Sequence, residues 1–233
     1  MSEPTVSAIQ SPARATWSAR TITSLAMLTG IAYVVMLLSK MLPQVSGFLQ
    51  FDLKDTIICI GGFVFGPLSA AIISILVAFI EMISASDTGP IGFLMNVLAT
   101  CAFCCTASAV YRRRHTKRGA VEGLILGVVV LTAVMLLWNY LITPLYMGVP
   151  RDVVKGMLVP ILLPFNLVKG GLNMALILLL YKPVVTALRR ARLVPESRDV
   201  TAEVKPFSAG FLLFSLALLA TFVTLGLVLM GIL

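Results

Sequence analysis

Residues 56–80 read TIICIGGFVFGPLSAAIISILVAFI, and where this uncharged run is cut decides the fold. Read as one helix, it crosses a bilayer once. Broken at Phe65, Gly66 and Pro67, it crosses and returns. Gly-Pro is a strong helix breaker, because glycine tolerates backbone angles other residues avoid and proline lacks an N–H. The basic residues favour the same cut. With the N-terminus cytoplasmic, a broken run puts Arg14, Arg20, the cluster at 112–118, Lys182, the cluster at 189–192, Arg198 and Lys205 on one side, 13 of the 18 basic residues. An unbroken run sends the 112–118 cluster to the opposite side, against the positive-inside rule. The two helices expected, 55–65 and 68–82, are about 15–20 Å long at ~1.5 Å per residue, short for a full span. Short helices are tolerated where they line a cavity rather than lipid.

The other uncharged runs lie at 21–39, 88–111, 123–150, 170–181 and 206–233. The chain of 233 residues is 59% hydrophobic and 12% charged, about half the charge of a soluble domain, with a mean hydropathy of +1.01. It reads as an all-α, polytopic membrane helical bundle. The period-two alternation of a membrane β-barrel is absent. Helices are expected at 21–41, 55–65, 68–82, 91–111, 120–141, 161–190 and 207–231, with a long outer segment reaching about residue 160. This divides the chain into a cytoplasmic N-terminal segment (1–20, with no cleaved signal peptide), a six-helix domain (21–190), a cytoplasmic linker (191–206) and a further transmembrane helix (207–233). No internal repeat is evident. The net charge of +8 is a topology signal in the lipid bilayer, not a nucleic-acid footprint.

The polar residues inside the apolar runs are the candidates for a site. Residues 164–173, PFNLVKGGLN, place Asn166, Lys169, Gly170 and Asn173 at i, i+3, i+4 and i+7 on one helical face. A cation at membrane depth needs a partner, and its default reading is functional. Asn139 and Thr143 are i, i+4 near the outer end of the fifth helix, which Pro144 is expected to limit. Trp138 and Tyr146 fit an interfacial belt and a ligand wall equally. Glu81 and Asn96 fall at the level of Asn166 and Lys169, where Glu81 is a candidate ion-pair partner for Lys169. Leu49, Phe51 and Leu53 alternate in the first outer loop and suit a lid whose apolar side chains point together. Asp55 reads first as a helix N-cap. Ala26 and Gly30, with Ala19 and Thr23, form a small-residue stripe for close helix approach. Cys59, Cys101, Cys104 and Cys105 read as small apolar residues, and the single histidine, His115, lies among arginines. A metal site is not expected.

Residues 21–190 resemble the riboflavin-specific S component, the substrate-binding membrane subunit, of energy-coupling factor (ECF) transporters. The carrying segments are 51–55 (FDLKD) with 61–67 (GGFVFGP), 88–92 (TGPIG) with Asn96, 139–146 (NYLITPLY) and 164–173. The resemblance implies a six-helix subunit in a prokaryotic cell membrane with an outward pocket under the first outer loop. It implies flavin contacts at Asn139, Asn166 and Lys169. It also implies two ATPase subunits and a transmembrane coupling protein as partners, docked on the Ala26–Gly30 face. The chain has no phosphate-binding G-x-x-x-x-G-K-[ST] loop of its own. No cofactor is implied, riboflavin being the transported ligand. Within the class, FMN, roseoflavin or another vitamin are alternatives. Phosphate calls for more than one free cation, and only Lys169 reads as buried. A membrane enzyme using Lys169 and Glu81 is the other class of reading, opposed by the lack of a His cluster or paired carboxylates. The family pattern ends near residue 195, so the helix at 207–233 is additional. It puts the C-terminus outside if it spans, and three roles stand open for it: shielding the bundle, contacting the coupling subunit, or bringing a further partner.

Overall fold

The computed structural model describes residues 18–86, 88–191 and 209–233. The N-terminal segment and the linker therefore lie almost wholly outside the described residues. Those described form α1 (Ala19–Ser39), α2 (Lys54–Phe65), α3 (Pro67–Ser84), α4 (Gly89–Arg114), α5 (Lys117–Met147), α6 (Arg151–Arg190) and α7 (Ala209–Leu229). All but α2 are long and apolar enough to cross a membrane, and the protein is multi-pass.

The break at Gly66 is where the sequence puts it. Gly66 has φ 98° and ψ 168°, a region essentially reserved for glycine, and Pro67 opens α3, where its missing N–H is harmless. The turn lies at the basic end of the bundle, since a Cβ on Gly66 would sit 3.5 Å from the Arg112 guanidinium. Helix α2 is enclosed. Every residue from Lys54 to Phe63 is buried, and its apolar side chains share one core with α1, α3, α4, α5 and α6, centred on Leu28, Ile58, Ile73, Phe103, Leu124 and Ile177. At about 18 Å, α2 could not shield its ends from lipid, and the bundle does so instead.

Two boundaries differ from expectation, each for a local reason, and one helix is interrupted. Helix α5 runs on through Pro144, which is buried. Proline removes one backbone bond, but packing holds the turn until Gly148, at φ 65°, ends it. The expected outer segment is helical from Arg151, joined to the rest of α6 by a wide π turn at Leu158–Leu162. That turn contains Pro160, and a wide turn accommodates a residue that cannot bond its preceding turn. A second π turn, Cys101–Cys105, interrupts α4. All four cysteines are free thiols, with Cys104 Sγ donating to the Asp55 carbonyl at 3.4 Å.

At the other end, a buried ion network ties the first loop to α3 and α4. Lys54, at the start of α2, is 1% exposed. Its ammonium pairs with Asp52 and lies 3.6 Å from Glu81 Oε2. Glu81 also pairs with Lys40 at 3.3 Å and accepts from Asn96 Nδ2 at 3.0 Å. The partner of Glu81 is thus Lys54 with Lys40, and the expected pair with Lys169 does not form. Asp55 also departs from expectation. It lies inside α2, accepts from Thr100 Oγ1 at 2.7 Å, and leaves capping to Asp52, whose Oδ1 accepts from the Lys54 N–H at 3.0 Å.

Removing one member of a buried pair strands the other charge. Glu81→Leu is expected to destabilise by about 3–5 kcal/mol, and the double variant Lys54→Met, Glu81→Leu by less than the two single changes together. Thermal unfolding in detergent measures both, and additive losses would contradict the network. Gly66→Ala is expected to lose about 1–3 kcal/mol through backbone strain alone, read in the same assay.

Candidate functional site: a cavity beneath the α1–α2 loop

The loop between α1 and α2 folds back over the bundle and encloses a cavity of about 360 Å³, within the range of small-molecule sites. A short antiparallel bridge shapes the loop: the Val45 N–H donates to the Leu49 carbonyl at 2.7 Å, and the Leu49 N–H to the Val45 carbonyl at 3.0 Å. Ser46 and Gly47, at φ 52° and 78°, make the turn between them. The loop is anchored where the Leu53 N–H donates to Ser39 Oγ at 3.1 Å and Gln50 Nε2 donates to the Lys40 carbonyl at 3.1 Å.

Leu49 and Phe51 line the cavity. Leu53 does not, because it directly precedes α2 and its backbone is committed to Ser39. Phe51 is 1% exposed and lies against Phe165 of α6, ring centroids 5.0 Å apart. The opposite wall is the lid end of α5, with Met135, Trp138, Ile142 and Tyr146, and Met95 of α4 lies nearby. Trp138 and Tyr146 therefore face a pocket. The thioethers and aromatic rings give flat, polarisable surfaces.

The structure gathers Glu81, Asn96, Asn139, Thr143, Asn166 and Lys169 around this cavity. Each retains a different hydrogen-bonding capacity. Asn139, 5% exposed, donates to the Met135 carbonyl at 2.7 Å and accepts from Thr143 Oγ1 at 2.9 Å. One N–H and one lone pair of its amide remain. Asn166 donates to the Leu162 carbonyl at 2.7 Å, and its Oδ1 has no partner among the described residues. Lys169 is half-buried and makes no ion pair among them. Asn96 donates to Glu81, which is also committed to the two lysines.

Asn173 shares the helical face but not the cavity. It accepts from Thr56 Oγ1 at 2.8 Å and donates to the carbonyls of Asp52 at 2.9 Å and Lys169 at 3.1 Å, stitching α6 to the base of the loop. The reading of Asn173 as a ligand contact is corrected on this ground, since its amide is already occupied. Lys40 and Gln50 line the cavity and were not singled out from sequence. Both sit in loop-like surroundings where a polar residue gives no signal. On α1, Ala19, Thr23, Ala26 and Gly30 are all exposed on the outer face, and nothing lies within 4 Å of a Cβ placed on Gly30. No group of three or more metal-ligating side chains occurs among the described residues.

Known proteins share this architecture. The family described as "ECF transporter, substrate-specific component" matches residues 20–181. The riboflavin transporter RibU of Staphylococcus aureus is 28% identical over 174 residues, covering 72% of this chain and 91% of that protein. The riboflavin transporter FmnP of Bacillus subtilis is 28% identical over 179 residues, covering 72% and 94%. A solved S component of a bacterial ECF transporter superposes with a TM-score of 0.63 at 26% identity, covering 73% of this chain and 98% of that one. A short buried α2, a loop closing over a mixed aromatic and amide cavity, and a family match across most of the bundle lead to one conclusion: this chain belongs to the substrate-specific components of ECF transporters, and it is a transporter subunit rather than an enzyme.

Proposed function

We propose that the chain captures riboflavin in the cavity beneath the α1–α2 loop and delivers it inward when docked to a transmembrane coupling protein and two ATPase subunits. The observation that carries the reading is the pairing of flat apolar walls with amide groups whose capacity is not spent. Riboflavin has a planar tricyclic ring, a pyrimidine edge bearing donors and acceptors, and a hydroxylated tail. Phe51, Phe165, Trp138 and the methionines suit the ring. The free N–H and lone pair of Asn139 and the open Oδ1 of Asn166 suit groups that both donate and accept. Lys169 can only donate, to a carbonyl, ring nitrogen or hydroxyl. The resemblance of residues 139–146 and 164–173 to riboflavin-specific S components, and the names of the relatives above, point the same way.

The charge balance favours the neutral vitamin over its phosphate ester. Lys40 and Lys54 are both paired with Glu81, which leaves Lys169 as the one cavity-lining ammonium without an ion pair among the described residues. A phosphate dianion is better met by several donors or a helix N-terminus.

The path inward follows from the same parts. The positive-inside bias puts the α4–α5 turn, with Arg112 to Arg114, in the cytoplasm and the lid outside. The N-terminus is then cytoplasmic and the C-terminus extracellular. The open small-residue face of α1 is the docking surface, because Ala26 and Gly30 let another helix approach closely. Reorientation of the docked subunit turns the cavity to the inside. The energy comes from the partners.

Protein purified without added ligand is expected to carry a flavin visible spectrum or to quench riboflavin fluorescence stoichiometrically. A folded protein that does neither removes the flavin reading. Lys169→Ala and Asn139→Ala are each expected to weaken riboflavin binding by at least about tenfold, near 1.4 kcal/mol, with unchanged thermal stability. Unchanged affinity in both would remove these residues from the site.

A further inference from the structure

Helix α7 lies beyond residues 20–181, the part matched by the family, and its packing is concentrated on a narrow strip. Of its residues only Ser215 and Gly226 are buried, while Leu213, Phe214 and Val228 are more than half exposed. The strip runs along α6 and ends on the lid. Phe222 lies directly on Gly171 of α6, so closely that a Cβ there would fall within the ring. One turn on, Gly226 faces the lid, and a Cβ on it would meet the Phe51 ring at 3.8 Å and Val168 at 3.9 Å. Phe222, Leu229 and Met230 complete an apolar cluster whose buried members are Val45, Phe51, Phe165 and Val168.

That cluster has two faces. Phe51 and Phe165 line the cavity on one side, while no residue of α7 does. Contact therefore passes from α7 to the cavity wall through Phe51 and Phe165. The Val45–Leu49 bridge closes the lid on itself. To open, it must pull Phe51 out of the cluster that α7 closes. A helix serving only as a lipid shield for α6 would have no need to contact residues 45–51.

We infer that α7 is a latch for the lid and that Phe222 is a positioning residue, holding Phe51 against Phe165 and slowing the opening of the cavity. The latch bears on the proposed riboflavin site, but its first test needs no ligand. Full-length protein in lipid nanodiscs, wild type and the variants Phe222→Ala, Phe222→Leu and Gly226→Leu, is followed by amide hydrogen exchange after any co-purified ligand is removed. Exchange across 45–53 is expected to rise roughly tenfold or more in Phe222→Ala and Gly226→Leu, with α2 to α6 unchanged. Phe222→Leu, which keeps most of the apolar volume, shifts less in the same direction and carries the test if Phe222→Ala does not fold. Unchanged exchange at 45–53, or an acceleration spread through α6, overturns the inference. Stopped-flow riboflavin fluorescence is the second readout: dissociation is expected to accelerate by a similar factor while association does not slow. Acceleration at 45–53 in a protein that fails to bind riboflavin upholds the latch and sinks the flavin reading alone.

Discussion

A helix of twelve residues cannot hide its ends from a hydrocarbon core about 30 Å thick, and the rest of this structure is arranged around that constraint. Helix α2 is packed among α1, α3, α4 and α6, so lipid touches the outer helices while α2 is solvated by protein. Its shortness leaves space above its N-terminus, inside the ring of longer helices. The lid fills the top of that space, and what remains is the cavity. The site is thus the volume left when a short central element is enclosed by full-length neighbours.

The same geometry explains the buried charge. Every residue from Lys54 to Phe63 is buried, so Lys54 enters the protein interior with its helix. An unpaired ammonium there is costly. Glu81, at the end of α3, compensates it through Oε2, which also accepts from Asn96, while Oε1 pairs with Lys40. One carboxylate thereby connects α1, α2, α3 and α4 at the cavity floor. Asn173 performs the equivalent neutral task for α6, binding Thr56 and the Asp52 carbonyl. These groups fix the frame, which frees Asn139, Asn166 and Lys169 from structural duties and leaves them polar capacity facing the cavity.

The parts legible in sequence were those with local signals. The Gly66–Pro67 break, the helix order and the lid's alternating Leu49 and Phe51 follow from backbone chemistry and periodicity. The positions of Asn139 and Thr143 follow from helical spacing. Depth was harder to read. Asn166 and Asn173 share a helical face, but two turns of α6 separate a cavity residue from one below its floor, and periodicity carries no information about where a floor lies. Lys54 carries no sequence signal of burial, standing between Asp52 and Asp55; only tertiary enclosure of α2 makes it interior. The partner of Glu81 was misread for the same reason, as Lys169 was taken to be the one buried cation. Pro144 was read as a limit, whereas packing carried the helix through it, and the segment expected to stay outside up to about residue 160 is helical from Arg151, its Pro160 absorbed by a π turn.

The additional helix bears on how such a subunit can move. It packs along α6 and leaves Ala26 and Gly30 exposed on α1, so the face for close helix approach remains open. Its interlocking of Phe222 with Gly171 is a rigid-body contact, which lets α7 turn with the bundle. Its contact with Phe51 is different in kind, because the lid must separate from it whenever the cavity opens. An element that follows the body but opposes one loop changes the rate of opening without obstructing rotation. The seventh helix is therefore compatible with the proposed reorientation of the whole subunit, and the inferred latch puts control of ligand release at the lid, away from the groups proposed to bind the ligand.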